Sequence, residues 1–347
     1  MSSSEINTDT DAGTDVGTQA GAEAVTATAP VRRGNGRGAR VRDYGILVAL
    51  LAMVLALSLS TSTFLSVANL VNLLDQCSIV GLLAAGATVC ILCGVFDLTA
   101  SATLALSAIV GVQLVRLSGI AVGFASSVLA GALLGLVTGT IVVRSGVHSF
   151  IATLATSIIY RGVAVVVTAG VIVYPLPAQA ADFGMLTWPS LFGLTSATVL
   201  FVVVVVALGL LVSATTFGRR VYAVGGNIEA ARLSGIRVGQ VQVAAYVLSG
   251  ICSALAGLIL ASRAGSAQSS MATGMELSAI AAAVIGGTSI LGGSGAIWRG
   301  VVGALLLTLI GNGFNLLGWD TIYQQVVQGC LILLAVAVDR YLRKRAS

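Results

Sequence analysis

Leu191-Phe-Gly-Leu-Thr-Ser-Ala-Thr-Val-Leu-Phe-Val-Val-Val-Val-Val-Ala-Leu-Gly-Leu-Leu-Val-Ser213 carries no charged residue. The hydrocarbon core of a bilayer is about 30 Å thick and a helix rises about 1.5 Å per residue, so about 20 apolar residues in a row predict a membrane span. Similar runs lie on both sides of this one, at Tyr44–Ser66, Leu70–Cys93, Ser101–Leu117, Ile120–Val143 and Phe150–Val171, then at Val241–Ala261, Leu277–Leu291, Ile297–Leu317 and Ile322–Val338. Of the 347 residues 57% are hydrophobic and 9% are charged, where a soluble domain carries roughly 25% charged residues. The expected fold is therefore an all-α polytopic membrane protein of about ten transmembrane helices.

The charges set the expected orientation. With the N-terminus inside, Arg32, Arg33, Arg37, Arg40, Arg42, Arg144, Arg219, Arg220, Arg232, Arg237, Arg299, Arg340, Arg343, Lys344 and Arg345 all face the cytoplasm. Only Arg116 and Arg263 fall outside, and Arg161 lies within a span. Positive residues favour the cytoplasmic side, so an even number of crossings with both termini inside is expected. This distribution is a topology signal and not a nucleic-acid patch. Residues 1–43 read as a disordered cytoplasmic tail, 44–339 as the membrane domain with an inside loop at 215–240, and 340–347 as a basic tail. A second long connection, Ala169–Ser190, is expected outside. The Gly-broken polar segment Gly94–Ser101 is echoed by Gly286–Gly295, which reads as two halves with paired interruptions.

Several classes lose support. The cysteines, Cys77, Cys90, Cys93, Cys252 and Cys330, lie in apolar runs and read as small hydrophobes, so no metal site is expected, and the lone His148 reads as a surface residue. A phosphate-binding loop needs a lysine, and the only one is Lys344 in the tail. Energy must then come from a partner or a gradient, and one histidine with few buried carboxylates disfavours a proton-coupled carrier. The same scarcity disfavours a membrane enzyme.

The inside loop reads Phe217-Gly-Arg-Arg-Val-Tyr-Ala-Val-Gly-Gly-Asn227-Ile-Glu229-Ala230-Ala231-Arg232-Leu-Ser-Gly235. Asn227 suits an N-cap, Glu229 the first turn, and Gly235 the end of a short surface helix. The spacing Glu-Ala-Ala-x-x-x-Gly resembles the coupling motif of ABC importer permeases. Gly94-Val-Phe-Asp97-Leu98-Thr99, Phe150-Ile-Ala-Thr153-Leu154, Arg161-Gly162, Glu276-Leu-Ser-Ala-Ile-Ala-Ala, Gly286-Gly-Thr288-Ser289-x-x-Gly292-Gly293, Asn315-Leu-Leu-Gly318 and Tyr323-Gln-Gln325 follow in order. Together, from about Asn69 to Arg340, they resemble the ribose-type sugar ABC permease family, with departures at Val95, Ala100, Ser101 and His148 or Ser149. The resemblance implies a type II ABC importer-like permease in a bacterial inner membrane. It also implies a homodimer embedded in lipid, two ATPase subunits below that bind the ATP and Mg, and a sugar-binding protein above. This chain would hold no cofactor of its own.

On that reading the residues for coupling to the ATPase are Asn227, Glu229, Ala230, Ala231, Arg232 and Gly235. The candidate substrate path is Asp97, Thr99, Phe150, Thr153, Ser157, Tyr160, Thr288, Ser289, Asn312 and Asn315. Asp97 either stabilises a broken helix, hydrogen-bonds a polyol or occupies a solvated turn. The polar stripes Thr153/Ser157/Tyr160 and Thr308/Asn312/Asn315 either line a hydrophilic path or bond neighbouring helices. Glu276 either complements a helix N-terminus or has a role in function. A permease for a nucleoside or branched-chain amino acid, and a gradient-driven carrier, are the alternative functions.

Overall fold

Long apolar runs in lipid have one way to satisfy their backbone groups without a closed barrel, which is to form helices. A computed structural model describes Gly36 to Asp320 together with positions 323, 326, 327, 329, 330 and 333. The expected tail over 1–35, Gln324, Gln325, most of the run Ile322–Val338 and the tail 340–347 lie outside the described residues. In order the helices are α1 (Gly36–Ser60), α2 (Val67–Leu92), α3 (Ala100–Ser118), α4 (Ile120–Ser145), α5 (Ser149–Thr168), the single turn α6 (Ala180–Phe183), α7 (Ser196–Ala214), α8 (Thr216–Gly226), α9 (Ile228–Leu233), α10 (Val238–Ala264), α11 (Met275–Ile285) and α12 (Ile297–Leu316).

Among the described residues seven helices, α2, α3, α4, α5, α7, α10 and α12, are long and apolar enough to cross a membrane. Ile46–Ser60, within α1, and α11 are shorter apolar helices. Two boundaries differ from expectation. Helix α1 begins at Gly36 rather than Tyr44, because Ala39 and the arginines of this stretch are good helix formers. The run Leu277–Leu291 is not one span: α11 stops at Ile285, where Gly286-Gly-Thr-Ser replaces helix formers with residues that favour irregular backbone.

Helix α2 is the centre of the bundle, packed by α10, α12, α11 and α7. In its most apolar stretch 78% of residues are buried, against 22% for α4 and 28% for α5 and α7, which are therefore the lipid- or partner-facing helices. A close backbone approach joins α4 to α10. Gly131, Gly135 and Gly139 recur at steps of four along one face of α4, and a Cβ at Gly135 would fall 2.3 Å from the Tyr246 carbonyl oxygen. Small residues at this spacing let two backbones touch, the main source of attraction between helices in lipid.

The long connection after α5 is ordered. Val173 and Ala267 exchange two backbone hydrogen bonds of 2.8 Å, and Phe183 is fully buried edge-on to Phe124. Ser262 donates to the Phe183 carbonyl at 2.7 Å and Gln179 to the Val115 carbonyl at 2.9 Å, so the loop is a plug over the ends of α3 and α10.

Candidate functional site

The chain leaves helical geometry between α2 and α3 and again between α11 and α12. In the first break Gly94 has φ +78°, a conformation other residues rarely adopt, and Asp97 follows with 3% exposure. A carboxylate this deep needs partners, and it has three hydrogen bonds: from the Thr99 backbone N–H at 2.9 Å, the Thr99 hydroxyl at 2.6 Å and the Ser249 hydroxyl of α10 at 2.6 Å. Around it the Tyr246 hydroxyl donates to the Phe96 carbonyl at 2.8 Å, and the Phe96 N–H donates to Ser149 Oγ at 3.1 Å. Asp97 therefore ties the start of α3 to α10, and Ser149 ties the break to the start of α5.

The second break turns through Gly287, Gly292, Gly293 and Gly295. The Ser289 N–H donates to the Ser294 carbonyl at 2.8 Å, and Ser289 Oγ accepts from the Leu291 N–H at 3.2 Å. Thr288 is buried, and its hydroxyl has no partner among the described residues.

The expected short helix of the inside loop is α9. Asn227 Oδ1 caps it from the Ala230 N–H at 3.0 Å, Glu229 sits in the first turn, and Gly235 ends the turn beyond it with φ +77°. Glu229 pairs with Arg232 at 3.1 Å on the surface. The two alanines face opposite ways. Ala230 is exposed beside Leu233, which is 90% exposed, whereas Ala231 is buried in a cluster with Val221, Val224 and Val238. A cavity of about 760 Å³ opens beside this element, with Arg219 and Arg220 of α8 and Arg237 in its wall.

Helix α8, which lies within the expected inside loop 215–240, links α9 to both breaks. It is capped by Thr215, whose hydroxyl accepts from the Gly218 N–H, and it buries Val221 and Val224. At its far end Gly225 is wedged between the breaks. A Cβ there would lie 1.9 Å from the Leu92 carbonyl oxygen and 2.7 Å from the Gly293 nitrogen. The breaks also touch each other: the Gly293 N–H donates to the Leu92 carbonyl at 3.0 Å, and a Cβ on Gly292 would lie 3.0 Å from the Gly94 Cα. Tyr222 completes the contact by donating to the Gly295 carbonyl at 2.9 Å. Burial raises the Tyr222 phenol above its ordinary pKa, outweighing the opposing pull of Arg299, so at neutral pH it is a donor.

The ten path residues lie on the two breaks and on helices α5 and α12. Asp97 and Thr99 form the first break, and Thr288 and Ser289 the second. On α5, Thr153 donates to the Ser149 carbonyl at 2.8 Å, and Tyr160 bonds Thr138 and the Leu134 carbonyl of α4, while Phe150 and Ser157 remain accessible. On α12, Asn312 exchanges amide hydrogen bonds with Asn69 at 2.8 and 3.2 Å, and Asn315 is exposed. His148 is exposed and caps α5 from the Phe150 N–H. The Arg161 guanidinium reaches the carbonyls of Ser269 and Met271 and the Ser101 hydroxyl, at 2.5, 2.8 and 3.0 Å. Ser249, Asn69 and Gly225 carry no local signal, each being one small or polar residue in a long run.

Two helix breaks joined through the end of a peripheral helix, together with seven helices apolar and long enough to span a bilayer, define the class as a membrane-spanning transport permease. The chain belongs to the branched-chain amino acid transport system / permease component family, whose sequence model matches residues 69–336. It is 40% identical over 295 residues to the ribose import permease protein RbsC of Escherichia coli strain K12, covering 84% of this chain and 92% of that protein. It is 40% identical over 310 residues to the protein of the same name from Bacillus subtilis strain 168, covering 86% and 93%. The D-allose transport system permease protein AlsC of Escherichia coli strain K12 is 37% identical over 300 residues, covering 85% and 91%.

Proposed function

We propose that this chain is the membrane-spanning subunit of an ATP-binding cassette importer that carries a monosaccharide, a pentose or hexose, into the cytoplasm. The names of its relatives supply the cargo class, since those proteins are described as ribose and D-allose permeases. The observation that carries the mechanism is the contact of Gly225 with both helix breaks. A displacement of α9 by a partner ATPase travels along α8 and reaches the Gly94 and Gly292–Gly293 segments together. Helices α3 and α12, which start from those breaks, then tilt.

In this reading the α8–α9 end faces the cytoplasm with both termini. The ATPase, which holds ATP and Mg, seats against Ile228, Glu229, Ala230, Arg232 and Leu233, while Asn227, Ala231 and Gly235 hold the helix in shape. A second copy of the chain packs beside α5, leaving Phe150 and Ser157 along a shared path toward Thr288 and Ser289. Asp97, Thr99, Thr153, Tyr160 and Asn312 keep their helices in register, and Asn315 lies at the far end of α12. A sugar-binding protein delivers cargo over the plug between α5 and α7.

The test is reconstitution in vesicles with its partner ATPase and binding protein, using radiolabelled ribose, allose and arabinose, with a nucleoside and leucine as competitors. ATP-dependent uptake displaced only by sugars is expected. Uphill transport by the chain alone, or uptake collapsed by an ionophore and indifferent to ATP, would overturn the proposal.

A further inference from the structure

Between the last turn of α4 and the start of α10 lies a cavity of about 690 Å³, walled by Thr140, Val143 and Arg144 on one side and by Arg237, Val243 and Ala244 on the other. Arg232 also borders it but is engaged by Glu229. Among the described residues no carboxylate lines the cavity and none pairs with Arg144 or Arg237. Two uncompensated guanidinium groups thus face one concave space. The face of α4 leading away from it is apolar and exposed, through Ile141, Val137, Leu133 and Leu129. Because α4 and α10 are membrane spans, their ends sit at the headgroup layer while this strip lies in hydrocarbon.

An occupant complementary to this surface is anionic at one end and hydrocarbon over the next 15–20 Å or so, given about 1.5 Å per residue of α4. A free anion lacks the second property, and a soluble protein segment does not reach into the hydrocarbon. We infer that the cavity seats the phosphodiester headgroup of an anionic phospholipid, with its acyl chains lying along α4. Basic pockets between the ends of spans have this chemistry, and arginine forks match phosphate oxygens in geometry as well as in charge. The site requires only that these helix ends reach the headgroup layer, so it does not depend on what the permease carries.

The test is native mass spectrometry of the full chain, purified with whichever subunits accompany it, stripped of lipid and titrated with palmitoyl-oleoyl phosphatidylglycerol, with phosphatidylcholine of the same chains, or with inorganic phosphate. Phosphatidylglycerol should be retained in preference to phosphatidylcholine. R144Q/R237Q should weaken retention about 30-fold, each arginine contributing about fivefold, while R144K/R237K keeps most of it. R116Q, at the opposite end of α3, should change nothing. If the double variant does not insert, R144Q and R237Q singly carry the same test at about fivefold each. Equal retention of the two lipids, wild-type retention by R144Q/R237Q, competition by inorganic phosphate as strong as by lipid, or binding seen only after the ATPase is removed would each overturn the inference. The last two outcomes would assign the arginines to a free anion and to the partner protein respectively.

Discussion

Asp97 and Gly225 show what single residues do in this bundle. Asp97 accepts three hydrogen bonds at 3% exposure, so removing its carboxylate leaves the Thr99 and Ser249 hydroxyls without their acceptor. Asp97→Ala should lower unfolding stability by about 3 kcal/mol, and Asp97→Asn should recover about half of that, because its amide oxygen can still accept from Thr99. Melting of the purified protein in detergent measures both, and an unchanged melting temperature for Asp97→Ala would remove the anchoring role. Gly225 and Gly226 are adjacent but have different surroundings: a Cβ at 225 meets the Leu92 oxygen at 1.9 Å, and one at 226 meets nothing within 4 Å. Gly225→Ala should cut uptake roughly tenfold, the equivalent of about 1.4 kcal/mol and within the usual range of overpacking strain, with the protein still inserted and still holding its ATPase. Gly226→Ala should transport normally. Equal behaviour of the two variants would argue against transmission through the junction. Asp97 stands out in sequence as the only acidic residue between Asp75 and Asp182. The two glycines were not separable there, since only their spatial neighbours distinguish them.

At the scale of the element, α9 is a short helix with one buried and one exposed face. Its core face, Ala231 against Val221 and Val238, belongs to the permease, and its outer face carries Leu233 and the surface pair Glu229–Arg232. Ala231→Trp should therefore destabilise the permease itself by about 1–3 kcal/mol through overpacking, read as a lower melting temperature. Leu233→Ala and Glu229→Lys should leave melting unchanged, because an exposed ion pair contributes little, but should reduce co-purification of the ATPase and uptake together. If Leu233→Ala retains the partner fully, the docking face lies elsewhere. The helix itself was legible in the sequence through Asn227, Glu229 and Gly235. Which alanine faces out was not, because six residues make less than two turns and present too little periodicity to fix a face.

For the whole molecule, stability in lipid comes from close backbone approach along α4–α10 and from buried polar ties such as Asn69–Asn312 and Arg161 with the loop at 269–271. Gly135→Val places side-chain atoms against the Tyr246 carbonyl, so it should insert normally yet melt earlier, by a margin of about 3 kcal/mol or less, in the same detergent assay. Wild-type melting would show that the α4–α10 contact is dispensable. That the chain is helical, crosses a membrane repeatedly, is interrupted near Gly94 and Gly286, and carries a capped helix at 227–235 is legible from the residues alone. Those properties follow from hydrophobic length, glycine content and capping chemistry, which act within a few residues of one another. Only the tertiary structure decided that the two interruptions touch, that Gly225 wedges between them, that Asp97 bonds Ser249, and that Arg144 and Arg237 share a cavity. These pairings join segments separated by tens to hundreds of residues, and in an apolar chain whose spans resemble one another, packing geometry alone selects which small or polar residue meets which.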